Sequence, residues 1–164
     1  MRKLLSILIT TILCAAVFCG CFPRSNMPFN GDVEFHGIVV TVPKSYVRDS
    51  TKSSDELWVF EQGNYDKYIM ISCKAAKSED AVKSYASFIE SQGGSSEDIK
   101  LADLDAVKLT YTQDNKDTRE TVFVLNDSIY AIALRGGDDA EYQELLDSFK
   151  IKASETTTTD NTTT

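Results

Sequence analysis

An α+β fold is what this sequence predicts: an antiparallel six-stranded sheet with helices packed on both faces. Three observations predict it. Six short segments are rich in β-branched and aromatic residues and are bounded by turn-forming residues. Two other segments place apolar residues at i, i+3, i+4 and i+7, the stripe of an amphipathic helix. Several of the strand segments are apolar on both faces, so each face of the sheet needs cover.

The first predicted strand is Gly37-Ile-Val-Val-Thr-Val42, ended by Pro43. A polar loop, Asp49 to Glu56, follows. Leu57 to Glu61 and Tyr68 to Ala75 are the second and third strands, joined around a Gly63-Asn64 turn. Within the third, Ile69, Ile71, Cys73 and Ala75 share a face by the period of two, which points Cys73 into the core. Ser78 is placed to cap a helix whose stripe is Val82, Tyr85, Ala86 and Ile89, stopped by Gly93-Gly94. A meander of three strands comes next, Asp105 to Thr112, Thr118 to Leu125 and Ser128 to Leu134. Its turns are Gln113 to Asp117 and Asn126-Asp127, the second a two-residue hairpin signal. Gly136-Gly137 leads to a final helix with Asp138 as N-cap and Glu141 at N3, a capping-box arrangement. Its stripe is Tyr142, Leu145, Leu146 and Phe149. The order is βββ-α-βββ-α, and short turns between consecutive strands make the sheet antiparallel.

The ends of the chain are of another kind. Met1-Arg2-Lys3 is a positive head, Leu4 to Cys19 an apolar run, and Gly20 a small residue before Cys21. This is the pattern of a secretory signal peptide over residues 1–20. Val17-Phe18-Cys19-Gly20-Cys21 resembles a bacterial lipobox, with Cys21 as the lipidated residue and Phe18 departing from the usual aliphatic residue. Cleavage elsewhere and an uncleaved anchor are the alternatives. A diacylated Cys21 supplies two chains, enough for stable anchoring. Residues 21–30 read as a linker with Pro23 and Pro28, reaching roughly 30 Å at about 3.3 Å per residue. Residues 31–152 are then a single domain, and residues 153–164 a Thr-rich disordered tail.

Charge and composition narrow the function. The chain has 164 residues and a net charge of −8, and without Arg2 and Lys3 the exported part is at −10. Such a body is a poor nucleic-acid binder. The four cysteines reduce to Cys73 once Cys14 and Cys19 leave with the signal and Cys21 takes lipid. A Cys21–Cys73 bridge is open only without lipidation. The single histidine excludes multi-His metal sites and most His-based acid–base schemes.

Each candidate chemistry has a plainer reading beside it. His36 and Cys73 would be needed for a thiol–imidazole pair, but His36 reads as a strand-end surface residue and Cys73 as a small core hydrophobe. Gly136-Gly137 before a helix would suit a phosphate, yet Asp138 and Asp139 put negative charge there. Asp114, Asn115, Asp117 and Glu120 would suit calcium, but their spacing fits no EF-hand loop, so they read as a solvated turn. Trp58, the only tryptophan, reads as core from its two-sided strand and as a recognition residue if exposed.

The phrases Gly37-Ile-Val-Val-Thr-Val-Pro43 with Lys44-Ser45-Tyr46, and Leu145-Leu-Asp-Ser-Phe-Lys150, in this order of elements, resemble the PsbP-like fold over about residues 30–151. That family includes an extrinsic photosystem protein, a Ran-binding import factor and many small bacterial lipoproteins. The resemblance implies a fold and no shared catalytic residues. The expectation is therefore a lipid-anchored, extracytoplasmic accessory or protein-binding module. It would have no catalysis, no metal and no cofactor, and would sit at the outer face of a bacterial membrane. Its candidate binding residues are Trp58 and His36, and its oligomeric state is left open. A small-solute or ion-binding lipoprotein is one alternative, and a cell-envelope enzyme or enzyme inhibitor another.

Overall fold

The computed structural model describes residues 31–63, 65–75 and 79–152. The signal segment, Cys21, the linker at 21–30, the proposed cap Ser78 and the tail at 153–164 lie outside the described residues. In chain order the elements are β1 (Gly31–Phe35), β2 (Ile38–Val42), β3 (Tyr46–Arg48), β4 (Leu57–Gln62) and β5 (Lys67–Ala75). Then follow α1 (Glu79–Ser91), β6 (Ser95–Leu101), β7 (Leu104–Gln113), β8 (Lys116–Leu125), β9 (Ser128–Arg135), α2 (Asp139–Asp147) and β10 (Lys150–Ile151).

The strands form an antiparallel seven-stranded sheet, order β3-β4-β5-β9-β8-β7-β6, and a separate three-stranded sheet, order β1-β2-β10. This corrects the expected six-stranded sheet. Five of the expected strands are in the large sheet, but β2 belongs to the small one, paired with β1 (Val33↔Val40). Two strands that periodicity did not signal complete the large sheet. β3 has three residues, too few to show a period. β6 reads Ser-Ser-Glu-Asp-Ile-Lys-Leu, poor in β formers, and is held by its ladder to β7 from Ser95↔Thr110 to Leu101↔Leu104.

Alternation along each strand sorts side chains between two cores. On one face Phe60, Ile71, Phe123 and Ile132 pack under the Tyr142, Leu145 and Leu146 stripe of α2, under Phe149, and under Val33, Phe35, Ile38 and Val40 of the small sheet. On the other face Leu109, Val122, Ile129 and Ala131 pack under Val82, Tyr85, Ala86 and Ile89 of α1. Each large aliphatic or aromatic side chain so buried contributes about 1.5–3 kcal/mol. A helix of 13 residues is marginal alone, so the stripe rather than helix propensity holds α1 in place.

The turns explain the register. Asn126-Asp127 has φ of 50° and 57°, both left-handed, as a two-residue primed hairpin turn requires. The β7–β8 turn is as tight, Asp114-Asn115 at 49° and 60°, shorter than the Gln113 to Asp117 segment expected. Gly136 is at φ 76°, and a Cβ there would lie 2.2 Å from the Asp66 carbonyl oxygen, so only glycine fits. Asp138 caps α2, its Oδ1 accepting from the Glu141 backbone N–H at 2.9 Å. The reciprocal arm of the capping box is redirected: the Glu141 carboxylate accepts from Lys67 Nζ at 2.6 Å.

Candidate functional site

His36 and Trp58 are brought to one corner of the molecule through Phe35. His36 is exposed and directly follows the end of β1, opening the two-residue turn to β2, at φ 48° with Gly37 at 85°. Histidine is among the few non-glycine residues that enter this region readily. The exposed His36 ring meets the Phe35 ring edge-on, centroids 4.6 Å apart. Its Nε2 lies 2.6 Å from the Asp55 carbonyl oxygen, which can only accept, so Nε2 carries the proton. Phe35 in turn meets Trp58 at 5.1 Å. Trp58 is half-buried, packs against the α2-side core, and carries the Arg48 guanidinium 3.9 Å above its ring. Such a cation–π contact is worth about 0.5–2 kcal/mol, more as water is excluded. Arg48 Nε is buried with no hydrogen-bond partner among the described residues.

Cys73 is buried in the same core, behind this corner. Its cross-strand partner is Tyr130, whose hydroxyl donates to the His36 carbonyl oxygen at 2.7 Å. Burial, and then the neighbouring Cys73, push the Tyr130 hydroxyl up to about 12. The ring of His36 is turned to Asp55, and the polar group beside the thiol is Tyr130. The corner is thus a turn fastened from both sides, by the Asp55 carbonyl at the His36 ring and by the Tyr130 hydroxyl at its backbone.

The calcium and phosphate candidates are dispersed by the fold. Asp114 pairs with Arg135 at 2.5 Å, and Asp117 accepts from Thr112 at 3.2 Å. Glu120 lies elsewhere, only 3% exposed beneath α1, where its Oε2 accepts from both Tyr85 and Tyr111 at 2.9 Å. Burial raises the Glu120 carboxyl above the usual range, although the two tyrosine donors work against the rise. Among the described residues no group of three or more His, Cys, Asp or Glu is placed to hold a metal ion. At Gly136-Gly137 the Gly137 carbonyl accepts from Arg119 at 2.8 Å, and Arg119 also binds Asp139 at 2.5 Å, so the protein's own groups fill the turn.

Sequence reasoning passed over a cavity of about 440 Å³ between β6 and α2. Ile99, Leu101, Leu146 and Phe149 line it, with Glu97, Lys108 and Asp147 among its polar residues. Its volume is within the roughly 300–1,000 Å³ of small-ligand pockets, but it is broadly open to solvent and its surface is more polar than apolar. Ile99 and Leu101, two apart in an otherwise polar segment, are its one trace in the sequence, too few to make a period. This cavity is on the α2 side of the sheet, and the buried Glu120 cluster is on the α1 side.

No family model matches the chain, and no curated protein matches it significantly. Solved structures do match. The solution structure of the cyanobacterial PsbP protein CyanoP from Synechocystis sp. PCC 6803 is similar over 81% of this chain and 98% of its own, with a TM-score of 0.52 and 13% identity. A crystal structure of a protein from Bacteroides thetaiotaomicron VPI-5482 is similar over 78% of this chain, with a TM-score of 0.53 and 12% identity. The chain spans 50% of that protein's length. At such identities the likeness shows the fold, which is PsbP-like.

Proposed function

We propose that this chain is a lipid-anchored accessory module at the outer face of a bacterial membrane, binding a partner protein without performing chemistry. The observation that carries the reading is the β6–α2 cavity, a mixed-charge hollow beside a strand that ends its sheet. A hollow of that kind suits a side chain of another protein. Glu120, Tyr85 and Tyr111, whose protonated forms burial favours, satisfy one another beneath α1 and do not converge on the cavity. Gly20-Cys21 after the apolar run supports the anchor.

The anchor is tested by Cys21→Ala in cells, followed by detergent-phase partitioning. The variant is expected in the aqueous phase or the medium; unchanged partitioning would sink the lipid reading. Crosslinking in intact cells tests the binding role, and a single defined protein adduct is expected. A thermal shift with metals or small solutes, and no adduct, would favour a solute-binding lipoprotein instead.

A further inference from the structure

Resting on that reading, we infer that the partner contributes an extended segment of alternating apolar and basic residues. It adds as an eighth strand at the free edge of β6 and drops an apolar side chain into the β6–α2 cavity.

Among the described residues β6 is the terminal strand of the seven, laddered to β7 on one side only. Its seven residues therefore present a row of backbone N–H and C=O groups to any strand that approaches. Strand addition of this kind draws affinity from main-chain hydrogen bonds and specificity from pockets that receive alternate side chains. Both components are present at one place. Ile99 and Leu101 point to the α2 side and form the apolar wall of the cavity, with Leu146 and Phe149 across from them. Ser96 points the other way, donating to Glu90 of α1 at 2.5 Å. An added strand would alternate in the same manner, so every second side chain would sit over the cavity.

The charge of the edge selects the occupant. Glu97 and Asp98 are exposed, Asp147 stands on the cavity rim, and Lys100 is neutralised by Asp105 at 2.5 Å. Charged residues on an edge strand discourage indiscriminate pairing; Lys108 faces Glu97 across the ladder and also lines the cavity, so it is Asp98 and Asp147 that leave the balance negative. A basic strand is attracted, and an acidic or neutral one gains nothing. A second copy of this chain is a poorer occupant, because each exported body carries −10.

The test uses the full chain in mild detergent as bait for a displayed library of random peptides. Enriched sequences are expected to alternate apolar with Lys or Arg, and to lose binding when alternate backbone amides are N-methylated. The double reversal E97K/D98K lies on exposed positions and leaves the core intact. It should weaken the selected peptides about tenfold or more, about 1.4 kcal/mol or more. Enrichment of acidic peptides, enrichment without alternation, or unchanged binding to E97K/D98K would overturn the proposal. A dimer of the chain that E97K/D98K disrupts would overturn the choice of occupant. If cell crosslinking still captures a partner with E97K/D98K, the β6 edge is wrong while the binding role stands.

Discussion

Replacing Glu120 by glutamine should make the protein more stable at neutral pH, although it removes a buried charged group from an intact hydrogen-bond cluster. Glu120 is 3% exposed, and its two bonds come from hydroxyls, Tyr85 and Tyr111, each 2.9 Å from Oε2. A hydroxyl stabilises a carboxylate less than a cation does, so burial dominates and the folded pKa is raised. The sign follows from linkage. Below the unfolded value of about 4.3 the carboxyl is protonated in both states and costs nothing. As pH rises from there toward the folded pKa, the unfolded chain ionises freely while the folded chain resists. Stability is lost across that window and is constant above it. The loss is about 1.4 kcal/mol for each unit by which the folded pKa exceeds the unfolded one.

E120Q has no such window, because an amide does not titrate, and its carbonyl oxygen still accepts from both tyrosines. Wild type and E120Q should therefore agree to within about 1 kcal/mol near pH 4 and diverge as pH rises, with E120Q the more stable. E120A lacks the window too but starts lower: near pH 4 it should be destabilised, since two hydroxyls lose their acceptor at about 1–3 kcal/mol each, and its deficit against wild type should narrow as pH rises. The assay is urea unfolding of the full chain from pH 4 to 8, followed by the fluorescence of Trp58, the single tryptophan. Parallel stability curves for wild type and E120Q would refute the reasoning. They would mean that Glu120 ionises in the fold without penalty.

Two further substitutions test the backbone geometry. Gly136→Ala should cost more than about 2 kcal/mol, because it adds a Cβ 2.2 Å from the Asp66 carbonyl oxygen to the left-handed penalty at φ 76°; Gly93→Ala, at φ 88° with open space around it, should cost only the about 1–2 kcal/mol of the penalty. Equal melting temperatures for the two variants would remove the steric part of that account. Asp138→Ala should cost about 1 kcal/mol in urea unfolding through loss of the bond to the Glu141 N–H, and an unchanged midpoint would show that this cap contributes nothing.

The elements legible in the sequence are those whose residues face a core. The stripe of α1 is buried from Val82 to Ile89 and that of α2 from Tyr142 to Leu146; Phe149, expected on the same helix, is buried but lies beyond its end at Asp147. The two-sided strands β8 and β9 lie between the two cores because Val122 and Phe123, or Ala131 and Ile132, each have a layer to pack against. Glu120 was misplaced among turn ligands because it is near Asp117 in sequence. The alternation of β8 puts it on the face of Val122 and Val124, looking inward at α1. His36 and Trp58 are notable by type alone, but their meeting at Phe35 depends on the small sheet and on β1, a strand of only five residues. The alternation Asp32-Val33-Glu34-Phe35, with Val33 and Phe35 buried, marks that strand in the sequence.

β6 is a different case, and its illegibility and its proposed role have one cause. An interior strand has neighbours on both edges and layers on both faces, so its sequence must be apolar and β-branched. A terminal strand has a ladder on one side and partial cover, so Ser, Glu, Asp and Lys are tolerated at no great cost. The absence of apolar demand hides the strand from a reading based on periodicity. Among the described residues it also leaves the edge open, which is what the proposed strand addition requires. Sequence rules tend to fail where a protein meets something other than itself. In this chain the failure falls on β6, beside the cavity, where Ile99 and Leu101 are the two apolar residues the fold still required.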